Sequence, residues 1–180
     1  EIANICEHVG ADVVEVARGM GLDQRIGHSY LDAGIGFGGP CLIKDLKALI
    51  KMAENCGYEA NFLREVFEKN EHQIRSIVAK VKKALGAVLY GKTIGILGLT
   101  FKAGTDDVRT SLSIRIIEAL EREGAHMRAH DPKGMPQAAK LLPGMVLCED
   151  PYQVAEGSDA LLILTGWEDF KTLDMGRIKA

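Results

Sequence analysis

The residues best suited to do chemistry in this sequence follow a glycine-rich segment. Cys41 comes directly after GIGFGGP at 34–40, and Lys44 and Asp45 follow three and four residues later. Pro40 suits the first turn of a helix, because its missing N–H would have no partner there. At a helix N-terminus, the dipole, free N–H groups and a nearby lysine all stabilise a thiolate. The pattern predicts that Cys41 is a nucleophile, with Lys44 and Asp45 projecting from the same side of the helix.

The same glycines match the form of a dinucleotide-binding fingerprint, G-x-G-x-x-G, at Gly34, Gly36 and Gly39. That fingerprint needs a buried strand before it and an acidic residue about 20 positions later, at the end of a second strand. The preceding segment, HSYLDA at 28–33, is not an apolar strand, and Glu54 falls in helical sequence. We therefore expect the glycines to allow close approach of the backbone to a bound group.

Further polar residues follow apolar segments in the second half of the chain. Lys102 is predicted to end a strand that includes Phe101. Asp107 is interpreted as a turn acceptor that pairs with Arg109. Asp131 precedes a proline and has two interpretations that the sequence leaves open, a ribose acceptor or a turn opener.

The remaining reactive side chains favour structural roles. Cys6, Cys56 and Cys148 are predicted to be inert core residues, and without a CxxC pair neither a zinc site nor a disulfide framework is expected. The histidines are scattered singly, which favours surface roles. Trp167 is interpreted as a packing anchor.

Helical periodicity runs through the first half of the chain, up to about Gly86. Four helices are predicted: one through Val9, one from an Asp12 N-cap through Ala17, one over about 41–55, and a long one over about 60–85. The apolar stripe of the long helix either supplies a dimer contact or packs within its own monomer.

From Gly91 onward, short apolar strands alternate with helices, which predicts a doubly wound parallel sheet. Ligands of such sheets bind beyond the carboxyl ends of the strands. LTFK at 99–102, HDP at 130–132 and LTGW at 164–167 are expected at that edge. The predicted fold class is α/β, with a helical dimerisation segment at 1–90 followed by a Rossmann-like sheet domain at 91–180.

Composition excludes several classes of protein. Lys plus Arg is 22 and Asp plus Glu is 25, so the net charge of −3 argues against a nucleic-acid binder. Apolar residues make up 47% and charged residues 26%, as in globular domains. No apolar run reaches the 18 or so residues that span a bilayer. The chain has no signal peptide pattern, and we expect a cytoplasmic piece of a longer polypeptide with no membrane partner.

Two motifs carry a resemblance to a known family. GFGGPCLIKD at 36–45 and LTFKAGTDDVRTSLS at 99–113 together resemble the UDP-glucose dehydrogenase family of nucleotide-sugar dehydrogenases, and GADVVEVARGMGLDQRIG at 10–27 shares the likeness. Members have an NAD-binding Rossmann domain, a helical middle that forms the dimer, and a Rossmann-like domain that binds the UDP-sugar. The resemblance covers essentially the whole chain and implies that it corresponds to the second and third parts, without the NAD-binding domain.

The resemblance also implies an activity, the NAD-dependent oxidation of UDP-glucose to UDP-glucuronate in two hydride transfers. Cys41 would attack the intermediate aldehyde and carry a thiohemiacetal and then a thioester. Asp45 would position or activate the hydrolytic water, and Lys102 would bind the sugar and stabilise oxyanion charge. Lys44 and Arg109 would approach the NAD phosphates.

The same likeness implies a set of substrate-binding residues and a homodimer. Arg25 would reach across the dimer into the partner's site, and Tyr30 and Leu31 would cradle the UDP phosphates. Phe101 would pack against the substrate. The backbone of the glycine-rich segment would line the substrate path at Gly36, Phe37, Gly38 and Gly39.

Two alternatives stay open at this point. The chain is similar also to enzymes acting on GDP-mannose or another nucleotide sugar, although the Lys-Asp pair after Cys41 and the segment GMGLDQRIG favour UDP-glucose. The other alternative is a nucleotide-binding and dimerisation module without chemistry of its own. Because family parts expected upstream and downstream are missing, we expect this chain alone to be inactive, and we expect no metal.

Overall fold

The computed structural model describes residues 1–179. They form two compact units, Glu1–Gly36 and the chain from Phe37 onward. Within the described residues, no helix is both long enough and apolar enough to cross a membrane.

The first unit contains two short helices, α1 at Ile2–Val9 and α2 at Val13–Gly21. α1 ends at Gly10, which adopts a left-handed conformation and donates its amide to the Cys6 carbonyl. Asp12 caps α2 as predicted, accepting from the Val14 amide at 2.8 Å. α2 extends beyond Ala17 to Gly21, where a Cβ atom would collide with the His28 ring.

The second unit begins with two longer helices. α3 spans Leu42–Asn55 and α4 spans Asn61–Leu85, close to the predicted bounds. α4 buries Ile74 and Val81 from its predicted apolar stripe, whereas Phe62 at its start is 79% exposed.

A four-stranded parallel sheet follows, in the order β3-β2-β1-β4. Its strands are β1 Thr93–Leu97, β2 His126–His130, β3 Val146–Leu147 and β4 Ala160–Ile163. The accompanying helices are α5 Leu112–Arg122, α6 Met135–Leu141, α7 Pro151–Ala155, α8 Glu168–Lys171 and α9 Met175–Lys179. The alternation of strands and helices confirms the predicted α/β class with a doubly wound sheet.

The core of the second unit lies between the sheet and α5. Ile94 and Ile96 from β1 are fully buried, as are Ile116, Ile117 and Leu120 from α5. Ser111 caps α5 by accepting from the Ser113 amide.

β1 is shorter than predicted, and it ends at Leu97 rather than at Lys102. Gly98 turns the chain there with a φ of 97°, a conformation that favours glycine. A Cβ at Gly98 would lie 2.6 Å from the Thr165 backbone nitrogen. The residues after Gly98 therefore leave the sheet, and Lys102 lies on an exposed loop instead of on a strand end.

Other local predictions have mixed outcomes. Trp167 is buried in a cluster with Leu97, Cys148, Val154 and Phe170, as expected of a packing anchor. Cys6 and Cys148 are buried, but the prediction for Cys56 was wrong: its thiol is exposed because the residue caps the solvent-facing end of α3.

The surface prediction for the histidines fails at His130. The ring is partly buried, since it lies 2.9 Å from the Cys148 carbonyl oxygen and meets the Phe170 ring edge-on.

Candidate active site

Cys41 stands at the N-terminus of α3, as the sequence predicted. It is the N-cap residue of this 14-residue helix, its carbonyl accepts from the Asp45 amide at 2.8 Å, and its thiol is exposed. The first-turn N–H groups of α3 lack helical partners, so this end of the helix favours a negative charge.

Lys44 and Asp45 form an ion pair one turn beyond Cys41. The Lys44 Nζ lies 3.1 Å from an Asp45 carboxylate oxygen, and both side chains are mostly exposed. The hydrogen bond from Lys44 to Asp45 is the main cause that raises the pKa of Lys44, and the negative charge of Cys41 contributes a smaller part. Lys44 is therefore close enough to the thiol to interact with its charge.

Arg109 is a second cation whose charge interacts with Cys41. Its guanidinium binds the Asp107 carboxylate, with Nη2 at 2.8 Å, and its backbone amide donates to the same carboxylate. This pairing, which the sequence predicted, is the main cause that raises the pKa of Arg109, and Cys41 is again a lesser cause. Lys44 and Arg109, 65 positions apart in sequence, thus share Cys41 as a minor cause of their raised pKa values.

The glycine-rich segment packs against the loop that follows β1. A Cβ at Gly38 would lie 2.7 Å from the Thr110 carbonyl oxygen, and one at Gly39 would lie 2.8 Å from the Phe101 ring. Gly39 also has a φ of 88°, which disfavours any side chain. The glycines at these two positions allow close approach of two backbone segments within the protein.

Phe101 and Lys102 lie side by side on that loop. The Lys102 Nζ is 5.5 Å from the centroid of the Phe101 ring, within the range of a cation–π contact. Lys102 itself is exposed. The fold thus brings the predicted Phe101 against the predicted Gly38 and Gly39, although about 60 residues separate them in sequence.

Asn70 is a site residue that sequence reasoning missed. It is buried in the middle of α4, its Oδ1 accepts from the Phe37 amide at 2.8 Å, and its Nδ2 donates to the Phe37 carbonyl at 2.9 Å. A signal was present, because Asn70 lies one turn before Ile74 on the apolar stripe of α4, where a polar residue needs a partner.

The two open interpretations of Asp131 are resolved by its hydrogen bonds. One carboxylate oxygen accepts from the Leu99 and Thr100 amides, the Thr100 hydroxyl and the Trp167 indole. The other accepts from the Lys133 and Gly134 amides. Asp131 is fully buried and ties three strand ends together, so it is a structural turn residue rather than a ribose acceptor.

The remaining predicted substrate residues belong to the first unit. Arg25 is exposed and paired with Asp23, its Nη2 2.7 Å from the carboxylate. Tyr30 is fully exposed with a positive φ of 64°, Leu31 is partly buried and Gly36 is exposed. Their roles as substrate residues stay predictions.

No group of three or more potential metal ligands occurs among residues 1–179.

Two family models match this chain. The model of the "UDP-glucose/GDP-mannose dehydrogenase family, central domain" matches residues 1–72, and that family's "UDP binding domain" matches residues 95–180.

Curated relatives agree with these matches. The chain is 44% identical over 180 residues to UDP-glucose 6-dehydrogenase from Rhizobium meliloti, covering all of this chain and 41% of the relative. It is 46% identical over 180 residues to UDP-glucose 6-dehydrogenase TuaD from Bacillus subtilis, covering 99% of this chain and 39% of the relative. The chain thus spans about two fifths of the length of these relatives.

Solved structures show the same likeness. A UDP-glucose dehydrogenase from Pyrobaculum islandicum superposes with a TM-score of 0.90 at 37% identity, covering 93% of this chain and 39% of that one. A GDP-mannose dehydrogenase from Pseudomonas aeruginosa gives a TM-score of 0.71 at 29% identity, covering 93% of this chain and 40% of that one.

Proposed function

Because the chain belongs to the UDP-glucose/GDP-mannose dehydrogenase family, we propose that it supplies the nucleophile and the UDP-sugar site of an NAD-dependent UDP-glucose 6-dehydrogenase. The observation that carries this proposal is the position of Cys41, an exposed thiol at the N-cap of α3 with the Lys44–Asp45 ion pair in the first turn of the same helix. A module that only bound nucleotide would have no use for this arrangement.

In the proposed reaction Cys41 acts on the aldehyde that the first oxidation produces. Its sulfur bonds to the aldehyde carbon, giving a thiohemiacetal, and holds the sugar as a thioester after the second oxidation. Water then cleaves the carbon–sulfur bond, which releases the uronate and returns the thiol. NAD, when bound, accepts one hydride in each of the two oxidations.

Lys44 and Arg109 suit the phosphates of that cofactor. Both cations are exposed, and each is held in place by one carboxylate, Asp45 or Asp107. Exposed ion pairs of this kind are weak, so an incoming phosphate can share the cation. We assign Lys44 and Arg109 to cofactor binding on this basis.

Asp45 and Lys102 are assigned to the chemistry on the sugar. Asp45 lies one turn after Cys41 and is exposed, so its carboxylate can orient or deprotonate the water that attacks the thioester. Lys102 is exposed beside Phe101, which packs on Gly39, and its ammonium can stabilise negative charge on a substrate oxygen. Phe101 and the backbone from Gly36 to Gly39 would line the sugar.

Arg25, Tyr30 and Leu31 belong to the first unit, and their assignment to substrate binding is a separate proposal. We assign Tyr30 and Leu31 to the UDP phosphates and Arg25 to the site of a partner subunit in a homodimer that forms through the helical part at 1–90. Residues 91–180 would hold the UDP-sugar. We also propose a cytoplasmic location, because the nucleophile must stay a reduced thiol.

Thermal unfolding with added nucleotides tests the substrate class. UDP and UDP-glucose at about 100 times their Kd should stabilise the chain by about 2.7 kcal/mol, which raises the Tm by about 5–11 °C for a chain of this size. A rise with GDP-mannose alone would favour the GDP-mannose alternative. No rise with any of the three would refute nucleotide-sugar binding.

An activity assay separates this chain from a complete enzyme. With UDP-glucose and excess NAD, it should form no detectable NADH, because positioning the cofactor against the sugar is worth about 7–11 kcal/mol and needs further parts of the protein. Sustained NADH formation that is lost in Cys41→Ser would show that the chain is complete by itself.

A further inference from the structure

The carboxamide of Asn70 holds the backbone that leads into Cys41. It accepts from the Phe37 N–H at 2.8 Å and donates to the Phe37 carbonyl at 2.9 Å, so both backbone groups of one residue bind one side chain. Asn70 is only 3% exposed, and water therefore cannot replace these two bonds easily. Phe37 lies four positions before Cys41.

The residues between Phe37 and Cys41 need such an anchor. Gly38 and Gly39 are glycines, which have the greatest backbone freedom of any residue type. Pro40 has a fixed φ, so the direction in which the chain leaves Gly39 also sets the direction in which it enters Cys41. After Cys41 the chain is fixed again, because the Asp45 amide binds the Cys41 carbonyl in the first turn of α3. The flexible pair of glycines is thus held at one end by Asn70 and at the other by α3.

The residue next to Asn70 fixes α4 to the sheet domain. Glu71 binds the Arg115 guanidinium of α5 with two hydrogen bonds, one of them 2.7 Å. This ion pair is the main cause that lowers the pKa of Glu71. α5 begins at Leu112, two residues after Thr110, whose carbonyl oxygen packs against Gly38. α4 therefore contacts the glycine-rich segment directly through Asn70, and is tied through Glu71 to the helix that follows Thr110.

An asparagine suits this position better than any side chain of similar size. Only a carboxamide offers a donor and an acceptor in one plane at neutral pH, whereas leucine would leave both Phe37 groups unpaired. Asparagine is also a poorer helix former than leucine or alanine, so helix stability alone would favour either of them in the middle of α4.

We propose that Asn70 is a positioning residue, whose carboxamide holds Phe37 and thereby keeps the Cys41 thiol at the N-terminus of α3. This inference rests on the proposed function, in which Cys41 is the nucleophile. Asn70 acts through the backbone and touches neither the thiol nor a substrate.

The test measures iodoacetamide alkylation of the full 180-residue chain at pH 7, site by site, by mass spectrometry. Cys56 is the internal reference, because its thiol is exposed at the opposite end of the same helix. The buried Cys148 reports any loss of the fold. In Asn70→Leu and Asn70→Ala, the ratio of the Cys41 rate to the Cys56 rate should fall at least threefold, while Cys148 stays protected.

Two variants are needed because they differ in packing. Leu keeps the branched shape and the number of heavy atoms of the side chain, whereas Ala leaves a cavity, and both remove the carboxamide. An equal fall in both supports the proposal, whereas a fall in Ala alone would mean that Asn70 only fills space. Ile74→Ala, one turn further along α4, is the matched control and should leave the ratio unchanged.

Three further outcomes would overturn the proposal. The first is an unchanged ratio in both Asn70 variants. The second is alkylation of Cys148 as fast as Cys56 in Asn70→Leu, since Asn70 would then be required for the fold itself. The third is an equal fall in Ile74→Ala. If instead Cys41 in the unmodified chain reacts no faster than Cys56, the proposed nucleophile fails, which distinguishes the two claims.

Discussion

Two clusters of polar residues in the second unit differ in how their hydrogen bonds are satisfied. Asp131 is fully buried and accepts from six donors, all from its own chain. Around Cys41, by contrast, Lys44, Asp45 and Arg109 are exposed and held only by surface ion pairs. A buried carboxylate whose oxygens all accept hydrogen bonds organises the scaffold. Exposed groups that are only weakly paired remain available to a ligand.

Removing the charge of Asp131 should give the largest effect. In Asp131→Asn one carboxylate oxygen becomes an NH₂ group, which must then face N–H donors. We therefore expect a loss of about 3 kcal/mol in the free energy of unfolding. That corresponds to a fall in Tm of about 6–12 °C, measured by calorimetry. Asp150→Asn is the matched control. Asp150 caps α7 by accepting from the Tyr152 amide, and because asparagine caps a helix N-terminus about as well as aspartate, this variant should lose less than about 0.5 kcal/mol. Equal effects of the two variants would contradict the scaffold role.

The difference in stability between the wild type and Asp131→Asn should change with pH in a definite direction. Burial alone raises the pKa of Asp131, but hydrogen bonds from the Leu99, Lys133, Gly134 and Thr100 amides outweigh it and hold the pKa below its usual value. A lowered pKa adds stability that is present above the unfolded-state value, roughly 3.9, and is lost as the pH falls through the folded-state value. Below about pH 4 the wild type and Asp131→Asn should therefore become more alike in urea unfolding. A difference that widens in acid would refute this assignment.

Substitution of Gly39 should have an intermediate effect on stability. It tests the contact between the glycine-rich segment and Phe101. The positive φ and the Phe101 ring both oppose a Cβ, so Gly39→Ala should cost about 1–3 kcal/mol in urea unfolding. Gly34→Ala, in the same glycine-rich stretch, is the control, since a Cβ there meets no atom within 4 Å. If Gly39→Ala and Gly34→Ala are equally stable, Gly39 does not pack closely against Phe101 and this prediction fails.

The smallest effect on stability is expected at the exposed cluster itself. Asp107→Asn weakens the ion pair with Arg109, whose side chain is 72% exposed, and should change the free energy of unfolding by less than about 1 kcal/mol. Chemical denaturation measures this change beside that of Asp131→Asn. A loss as large as that of Asp131→Asn would mean that Arg109 belongs to the scaffold and is not free to bind a ligand.

Much of the fold was predictable because its signals are local. The helical periodicity of α4, the Asp12 cap and the alternation of strands with helices depend on neighbouring residues, and all were confirmed. The predicted end of β1 was wrong. LTF after Gly98 has strand-like composition, but the Leu99 and Thr100 amides bind the Asp131 carboxylate and the Phe101 amide donates to the Asp107 carbonyl instead of to a neighbouring strand.

The candidate site was predictable only in part. Cys41 and Lys44 lie in one short motif, so their proximity follows from the sequence. Asn70 and Asp131 act on backbone groups about 30 residues away, and no local pattern specifies such a pairing. The exposure of Cys56 was missed for a similar reason, because a cysteine at a helix C-terminus has the same local sequence whether or not another element covers it.

The central claim is that the fold prepares Cys41 as a nucleophile, and the two exposed thiols of α3 test it directly. The positive end of the helix dipole lies at Cys41 and the negative end at Cys56, and each is worth about 0.3–1 kcal/mol to a nearby charge. With Lys44 and Arg109 added, iodoacetamide should alkylate Cys41 about tenfold faster than Cys56 at pH 7 in the unmodified chain. Equal rates at pH 7, with Cys6 and Cys148 still protected, would contradict the account.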